Sequence, residues 1–386
     1  MKTLFLIITS FTFLTAFSQE KDSIMRRPVQ VSFFYPLGSN GINSPKYSNY
    51  ISLNMLYGIN GGVDGFELGG LVNVNNGNVN GMQIGGIANV TKGHANGLII
   101  SGITNLASDS SNTMSFAGIS NIYNANALGM QFAGISNSVN GTFLGGQFAG
   151  ITNAANGDLN GAQVAGISNF SNGNLMGLQI AGISNLSNGN VNGGQIGLVN
   201  VAKNISGFQL GLINLAESYE KGIPIGLINI VKKGFHAIEI SGTEAIYANL
   251  ALKLGVNQFY GIYRAGYFSN GSEQSMSYGL GFGSMLSLTE KAYVSADLTA
   301  NQIYTSIHHP ELNLLSRIDL AFRYEFTKTI GLFAGPSFNV FISENPLDGQ
   351  SSALEPPYYL YEESWWNNQG KTSIWIGGNL GLSVRF

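Results

Sequence analysis

The sequence predicts an all-β chain: a parallel β-solenoid of 16-residue repeats combined with a small antiparallel β-barrel of about ten strands. Three observations lead there. From Gly65 to Asn192 the chain repeats itself every sixteen residues, eight times, without insertion or deletion, and a fixed short period means one structural unit stacked on itself. The C-terminal third alternates apolar and polar residues with period two, which gives a strand two unlike faces. Charged residues are only 10% of the chain, against roughly 25% in ordinary soluble domains.

The first eighteen residues read as an export signal. Lys2 is the positive start, Leu4 to Phe17 is mostly apolar, and Ala16-Phe17-Ser18 ends in small residues, so cleavage is expected before Gln19. The apolar run is too short for a spanning helix, and no later stretch is long enough. The chain has no Cys, which excludes a disulfide framework or a Cys-linked lipid anchor. Net charge is -3, so the basic footprint of a nucleic-acid partner is missing. An exported apolar chain without a spanning helix can still be a membrane protein if it closes into a barrel. Val29, Val31, Phe33 and Tyr35 alternate, as do Ile51, Leu53, Met55 and Tyr57; residues 19–60 are therefore expected to supply the first barrel strands.

Residues 61–234 are assigned to the solenoid. Position nine of the unit is Asn in all eight copies: Asn73, Asn89, Asn105, Asn121, Asn137, Asn153, Asn169 and Asn185. Position six is always Gly and position seven always Leu or Ile. Apolar residues recur at positions four, seven, ten and fifteen, a spacing that suits short strands separated by corners, with one inward residue on each side. Glycines at positions one, six and often thirteen supply corner conformations that side chains resist, and Asn-Gly pairs such as Asn172-Gly173 form turns. Stacking places Asn above Asn, so a structural ladder of amides is expected. Gln at position three (Gln83, Gln131, Gln147, Gln163, Gln179, Gln195) suggests a second ladder. The competing reading of these rows is a flat polar surface that binds a periodic glycan, but no aromatic platform accompanies them. The competing fold makes each unit another barrel strand. Antiparallel neighbours would then need one motif to work in both directions, and the repeats hold no Trp and one Tyr, Tyr123, too few for interfacial girdles. Three looser units, 193–206, 207–221 and 222–234, read as a transition or cap. Eleven rungs at roughly 4.8 Å give a rod of about 50 Å.

The Gly-x-Gln-Ile-x-Gly-Ile-x-Asn units resemble the leptospiral-type surface-repeat family, which is also frequent in Bacteroidetes. The resemblance covers about 65–234, and the flanks, from Val29 to Gly38 and over 236–268, resemble exported Bacteroidetes proteins that carry such repeats. It implies an envelope location and no particular chemistry.

Residues 235–386 are assigned to the C-terminal barrel strands. Ile318, Leu320, Phe322, Tyr324 and Phe326 alternate with Arg317, Asp319, Ala321, Arg323 and Glu325, as expected of a barrel with lipid outside and a polar lumen. Ile374, Ile376, Leu380, Leu382, Val384 and Phe386 share one face of the last segment. A terminal aromatic, Phe386, resembles the signal read by the assembly machinery of bacterial outer-membrane barrels. Further strands are expected at 236–242, 245–255, 257–268, 275–288, 291–306 and 329–343. The tight turns 289–291 and 327–329 suit the periplasmic side and the long connection 343–371 the outside. The expected lumen set is Arg264, Asp297, Arg317, Asp319, Arg323, Glu325 and Arg385, a mixture that fills a small barrel.

Little in the chain suggests catalysis. His308, His309 and Glu311 sit together in one connection, where a metal site or an acid–base pair is conceivable and a solvated loop is the plainer reading. Asp109 and Asp158 lie in different turns without acidic partners, unlike a glycan-cleaving carboxylate pair. No P-loop or nucleophile elbow occurs, and no cofactor, metal or catalytic residue is expected. The long connection carries Tyr358, Tyr359, Tyr361, Trp365 and Trp366, a candidate partner-contact or membrane-interface cluster. The expected function is that of a non-enzymatic outer-membrane β-barrel protein whose solenoid acts as scaffold, adhesin-like module or accessory subunit of an envelope complex. Its expected partners are outer-membrane lipid, the barrel assembly machinery, and other envelope proteins or glycans. The alternative is a channel of about twenty strands, with the repeats as staves.

Overall fold

The computed structural model describes residues 25–270, 273–305, 312–344, 354, 356, 358–365 and 370–386. The expected signal segment, His308, His309, Glu311 and Trp366 lie outside the described residues. The chain is all-β, with a solenoid of about twelve turns followed by a closed eight-stranded antiparallel barrel.

Each solenoid turn carries a seven-residue strand, such as Ala127–Ala133, and a four-residue strand, such as Ser136–Val139. Both pair in parallel with their equivalents sixteen residues on, so that Gln131 lies over Gln147 and Asn137 over Asn153. This parallel register excludes the repeats as staves of a wide antiparallel barrel. The corner between the strands explains the invariant glycine at position six. A Cβ on Gly134 would lie 2.1 Å from the carbonyl oxygen of Gly118 one turn earlier, closer than any side chain tolerates. At position one two demands coincide, as at Gly161, where φ is +138° and a Cβ would lie 2.0 Å from the carbonyl oxygen of Gly145.

The inward residues are at positions three, five, nine, eleven and fifteen. Position nine forms one continuous ladder from Asn73 to Asn229, each side-chain amide donating to the Asn oxygen of the next turn at 2.8–3.0 Å; one turn earlier position nine is Gly58, and Asn54, opposite Gly69, reaches in to donate to Asn73 at 3.0 Å. From Asn73 to Asn185 each Nδ2 also donates to a backbone carbonyl of the next turn; Asn137, for example, reaches the oxygen of Phe148 at 2.9 Å. Gln147, Gln163, Gln179, Gln195 and Gln209 donate in sequence to the Gln before them, beginning at Gln131. The apolar core between these ladders is narrow, and in its middle turns the large residue changes sides. Where position fifteen is small, at Ser111 and Ala127, Tyr123 fills position eleven; where position fifteen is Phe143, Val139 and Ala155 face it.

The structure corrects the expected side-chain phase. Of the apolar positions four, seven, ten and fifteen, only fifteen points inward, and the other three face out. The residues 25–60 are also corrected. Met25–Phe34 pairs in parallel with Tyr47–Asn60, which pairs in parallel with Gly62–Gly69 and Val72–Asn75, so both N-terminal segments belong to the solenoid. Their alternation is the same for a stacked strand as for a barrel strand, and only the partner differs. Residues 36–46 fold over the free end, where Asn40 donates to Gln30 at 2.9 Å and to Asn49 at 3.1 Å. The looser units after Asn192 continue the stack. The spacing shortens to fifteen and fourteen residues from Asn185 to Asn200 to Asn214 while the ladder stays unbroken.

The other eight expected strands make the barrel: Phe235–Thr243, Ala248–Val256, Phe259–Asn270, Glu273–Ser287, Ala292–Thr305, Asn313–Glu325, Ile330–Glu344 and Gly370–Arg385. It closes by antiparallel pairing of the first and last, with Ala237 opposite Arg385. The first strand is short and reaches only Asn379 on its partner. Above it, Tyr361–Trp365 takes the free edge of the last strand, with Tyr361 opposite Ile374. That strand, inside the long connection, was not expected from the sequence.

Replacing Asn137 by Leu should destabilise the chain by about 2–4 kcal/mol, because the Phe148 carbonyl and the Asn153 oxygen lose a buried donor. Replacing Asn140, in an exposed turn, by Ala should change stability by less than about 0.5 kcal/mol. Urea-induced loss of the far-ultraviolet β-signal reads both.

Candidate functional site: an outward apolar flank and a filled barrel

The inverted phase gives the solenoid its most unusual surface. Position seven forms a lane of Leu and Ile at the corner, running from Leu56 and Leu71 through Ile87 to Ile183, and on to Leu198, Leu212 and Leu227. Each of these side chains is 38–53% exposed. Their backbones stack directly, as in Ile103 N to Ile87 O at 2.9 Å and Ile135 N to Ile119 O at 3.0 Å. Beside it, position four forms a second outward lane, from Leu53 and Leu68 to Leu210 and Ile225. In its middle the rings of Phe116, Phe132 and Phe148 stack at 4.9 and 5.0 Å. Neither lane contains an Asp, Glu, Lys or Arg. Charge is segregated from them. Between Gly65 and Asn192 the charged residues are Glu67, which points into the core, and Lys92, Asp109 and Asp158, all in the turn at positions twelve to fourteen with His94. A contiguous apolar surface much larger than a few hundred Å² marks a contact with something other than water, and two lanes over eleven or more rungs exceed that.

The amide rows, by contrast, are not available to a ligand. Every Asn of the position-nine ladder from Asn73 to Asn185 is at most 1% exposed, as are Gln83, Gln131, Gln147, Gln163, Gln179 and Gln195. The expected alternative of a glycan-binding polar surface is therefore withdrawn.

Glu67 stands where most later turns carry Gln, Ile99 and Ser115 being exceptions. It is fully buried and accepts four amides, from Asn54 at 3.0 Å, Asn60 at 2.6 Å, Asn75 at 2.6 Å and Gln83 at 2.8 Å. Burial pushes its carboxyl above the usual carboxylate range, and the four donors only partly offset this. Sequence reading passed over it, although a single Glu in a Gln row was the visible signal.

The barrel interior is filled. Lys253 lies between Asp297 at 2.5 Å and Glu239 at 2.8 Å, Arg323 pairs with Glu239, and Tyr260 Oη donates to Asp297 at 2.6 Å. Nearer the long connections, Asp319 joins Arg264 at 3.1 Å and Arg317 at 2.8 Å. Trp375 is fully buried above them and donates to Glu244 at 2.7 Å. All seven expected lumen residues take part in interior ion pairs, Glu325 with Arg385 at the rim. Glu239 and Lys253 were missed, although each alternates with Ile or Leu neighbours. The outer face is apolar, with Leu250, Leu280, Leu298, Leu320, Leu332 and Leu382 among its exposed residues. Aromatic pairs mark both ends: Tyr278 with Tyr304 toward the long connections, and Phe259 with Phe282 and Tyr324 with Phe326 toward the short turns.

The solenoid meets the barrel at the end that holds the short turns 257–258, 288–291 and 326–329 and the C-terminus. A cavity of about 320 Å³ lies there, lined by Lys221, Lys233, His236 and Arg385 among others; Lys233 pairs with Glu217 at 2.9 Å. Phe386 is exposed, donates its backbone N–H to His236 at 3.3 Å and lies 5.7 Å from its ring. Tyr263 Oη, on the outward barrel face, donates to the carbonyl of Leu227. At the opposite end Tyr358, Tyr359 and Tyr361 are exposed, Lys371 lies 4.9 Å from the Tyr359 ring, and Trp365 donates to Thr372 at 3.1 Å. Among the described residues no group of three or more His, Cys, Asp or Glu could hold a metal ion. No family model, curated protein or solved structure matches the chain.

Two outcomes follow. Glu67 binds its proton more tightly folded than unfolded. Its contribution to stability is therefore fully present below the ordinary value of 4.5 and is lost as pH rises through the raised folded value. Glu67→Gln should remove that segment of the stability–pH curve, read by chemical unfolding across a pH series. Lys253→Met leaves Glu239 and Asp297 short of a buried cation and should cost about 3–5 kcal/mol, read as a lower urea midpoint in detergent micelles.

Proposed function

We propose that this chain is a non-enzymatic outer-membrane protein. Its eight-stranded barrel is the anchor, and its solenoid is a scaffold held on the periplasmic side as an accessory module of the envelope. The observation that carries the reading is the barrel's inversion, with an apolar, aromatic-edged outer face around a core of ion pairs. Burying such charges costs free energy that a soluble barrel has no reason to meet, whereas a barrel in lipid must turn its apolar residues outward. The export-signal pattern at 1–18 and the resemblance of the repeats to surface-repeat proteins both support an envelope location.

The connections support the periplasmic side for the solenoid. Barrels of this class carry short turns on the periplasmic side and long ones outside, and the solenoid joins the short-turn end. An eight-stranded barrel is just wide enough for side chains to fill, and here they do, which argues against general transport. The exposed tyrosines near the long connections then lie at the outer surface, where they suit contact with other envelope components.

The full chain should fractionate with outer membranes and shift its mobility on heating in detergent gels, as a closed barrel does. In planar bilayers it should give no large stable conductance steps. A soluble periplasmic chain would overturn the anchor, and porin-sized steps would overturn the filled barrel.

A further inference from the structure

We propose that the corner flank of the solenoid is itself a lipid-binding surface, covered by the hydrocarbon of the leaflet that adjoins the short-turn end of the barrel. This rests on the membrane reading above and deepens it. A rod that only projected into water would have no use for an exposed lane of Leu and Ile along its whole length, flanked by a second outward lane that is half-buried over most of its run.

Three features select acyl chains over a protein partner. The first is chemistry. Lanes four and seven hold no charged side chain, whereas protein interfaces set their register with polar rims and a few anchoring aromatic or Arg residues. The second is periodicity. Ile103, Ile119, Ile135, Ile151 and Ile167 are equivalent, each 41–42% exposed, so a rigid partner slipped by one turn would meet the same surface again. A fluid hydrocarbon needs no register. The third is continuity. At the last turn the Leu227 carbonyl accepts from Tyr263 and lies 3.3 Å from where a Cβ on Gly261 would stand. Both residues are on the outer side of the barrel wall, so the flank runs into the barrel's own apolar belt. The charged and Asn-Gly turns, on the other edge of the cross-section, then face water. The solenoid lies along the leaflet as an amphipathic β-element, with the same division of faces as an interfacial amphipathic helix.

The absence of Cys makes the test direct. Single variants Ile103→Cys, Ile135→Cys and Ile167→Cys on lane seven, Asn140→Cys in the turn and Leu320→Cys on the barrel belt are nitroxide-labelled in the full chain. The labelled chain is reconstituted into vesicles of phosphatidylethanolamine and phosphatidylglycerol. Collision rates with oxygen, which concentrates in hydrocarbon, are compared with those of a water-soluble nickel chelate. The lane-seven labels should favour oxygen, as Leu320→Cys does, while Asn140→Cys favours nickel. Lane-seven labels that favour nickel while Leu320→Cys favours oxygen would overturn the inference and leave the membrane barrel standing. Labels shielded from both reagents, with spin coupling between chains, would overturn it in favour of a second copy on the flank. A nickel-favouring Leu320→Cys would overturn the membrane reading, and this inference with it.

Discussion

The amide ladder at position nine is the constraint on which the rest of the solenoid depends. An Asn side chain has both a donor and an acceptor, so identical Asn residues one above another satisfy each other without any third group. That allows a polar residue to occupy the centre of every turn at no cost in unsatisfied hydrogen bonds. The second Nδ2 hydrogen of most rungs ties the ladder to the backbone of the next turn, at the strand that precedes the corner. With Asn and Gln occupying the middle, there is room for only a thin apolar core. The large side chains at positions four and seven have no interior to enter and stand outside.

This ordering differs from that of an ordinary soluble domain, in which the hydrophobic effect selects the inside. Here, backbone pairing and amide ladders hold the turns together, and the apolar residues are free to serve a different purpose. The barrel follows the same logic by another route. Its interior is held by Lys253, Arg323, Glu239 and Asp297 near one end and by Arg264, Arg317 and Asp319 nearer the other. Both halves of the molecule therefore combine hydrogen-bonded or ion-paired groups at the centre, beside a limited apolar core, with apolar outer surfaces. That shared inversion connects the solenoid to the barrel physically, since Leu227 at the foot of one surface meets Tyr263 on the other.

Much of the fold was legible because periodicity survives any uncertainty about which side is in. The sixteen-residue repeat led to a parallel stack, and the eight alternating segments after residue 234 all became barrel strands. What could not be read was phase. Leu, Ile and Phe at positions four, seven and ten look like core residues on any average expectation; only the three-dimensional stacking of Asn and Gln assigns them outward. Partner choice was equally hidden in Val29–Tyr35 and Ile51–Tyr57, since alternation does not distinguish a parallel neighbour from an antiparallel one. Glu239 and Lys253 were visible in the alternation of two expected strands, the short 236–242 and its neighbour 245–255. The strand Tyr361–Trp365, which completes the edge that this short segment leaves open, depends on a pairing that no local pattern encodes.

The central claim is that the repeats are in-register parallel turns rather than up-and-down staves. Distances between nitroxides placed at equivalent turn positions decide it. In the Asn76→Cys, Asn156→Cys double variant the labels are five turns apart, and a parallel stack predicts a separation of about 24 Å from a rise of roughly 4.8 Å per turn. If successive repeats ran antiparallel across a membrane, an odd number of repeats would put the labels at opposite ends, beyond the roughly 30 Å of its hydrocarbon core, and that longer distance would contradict the account.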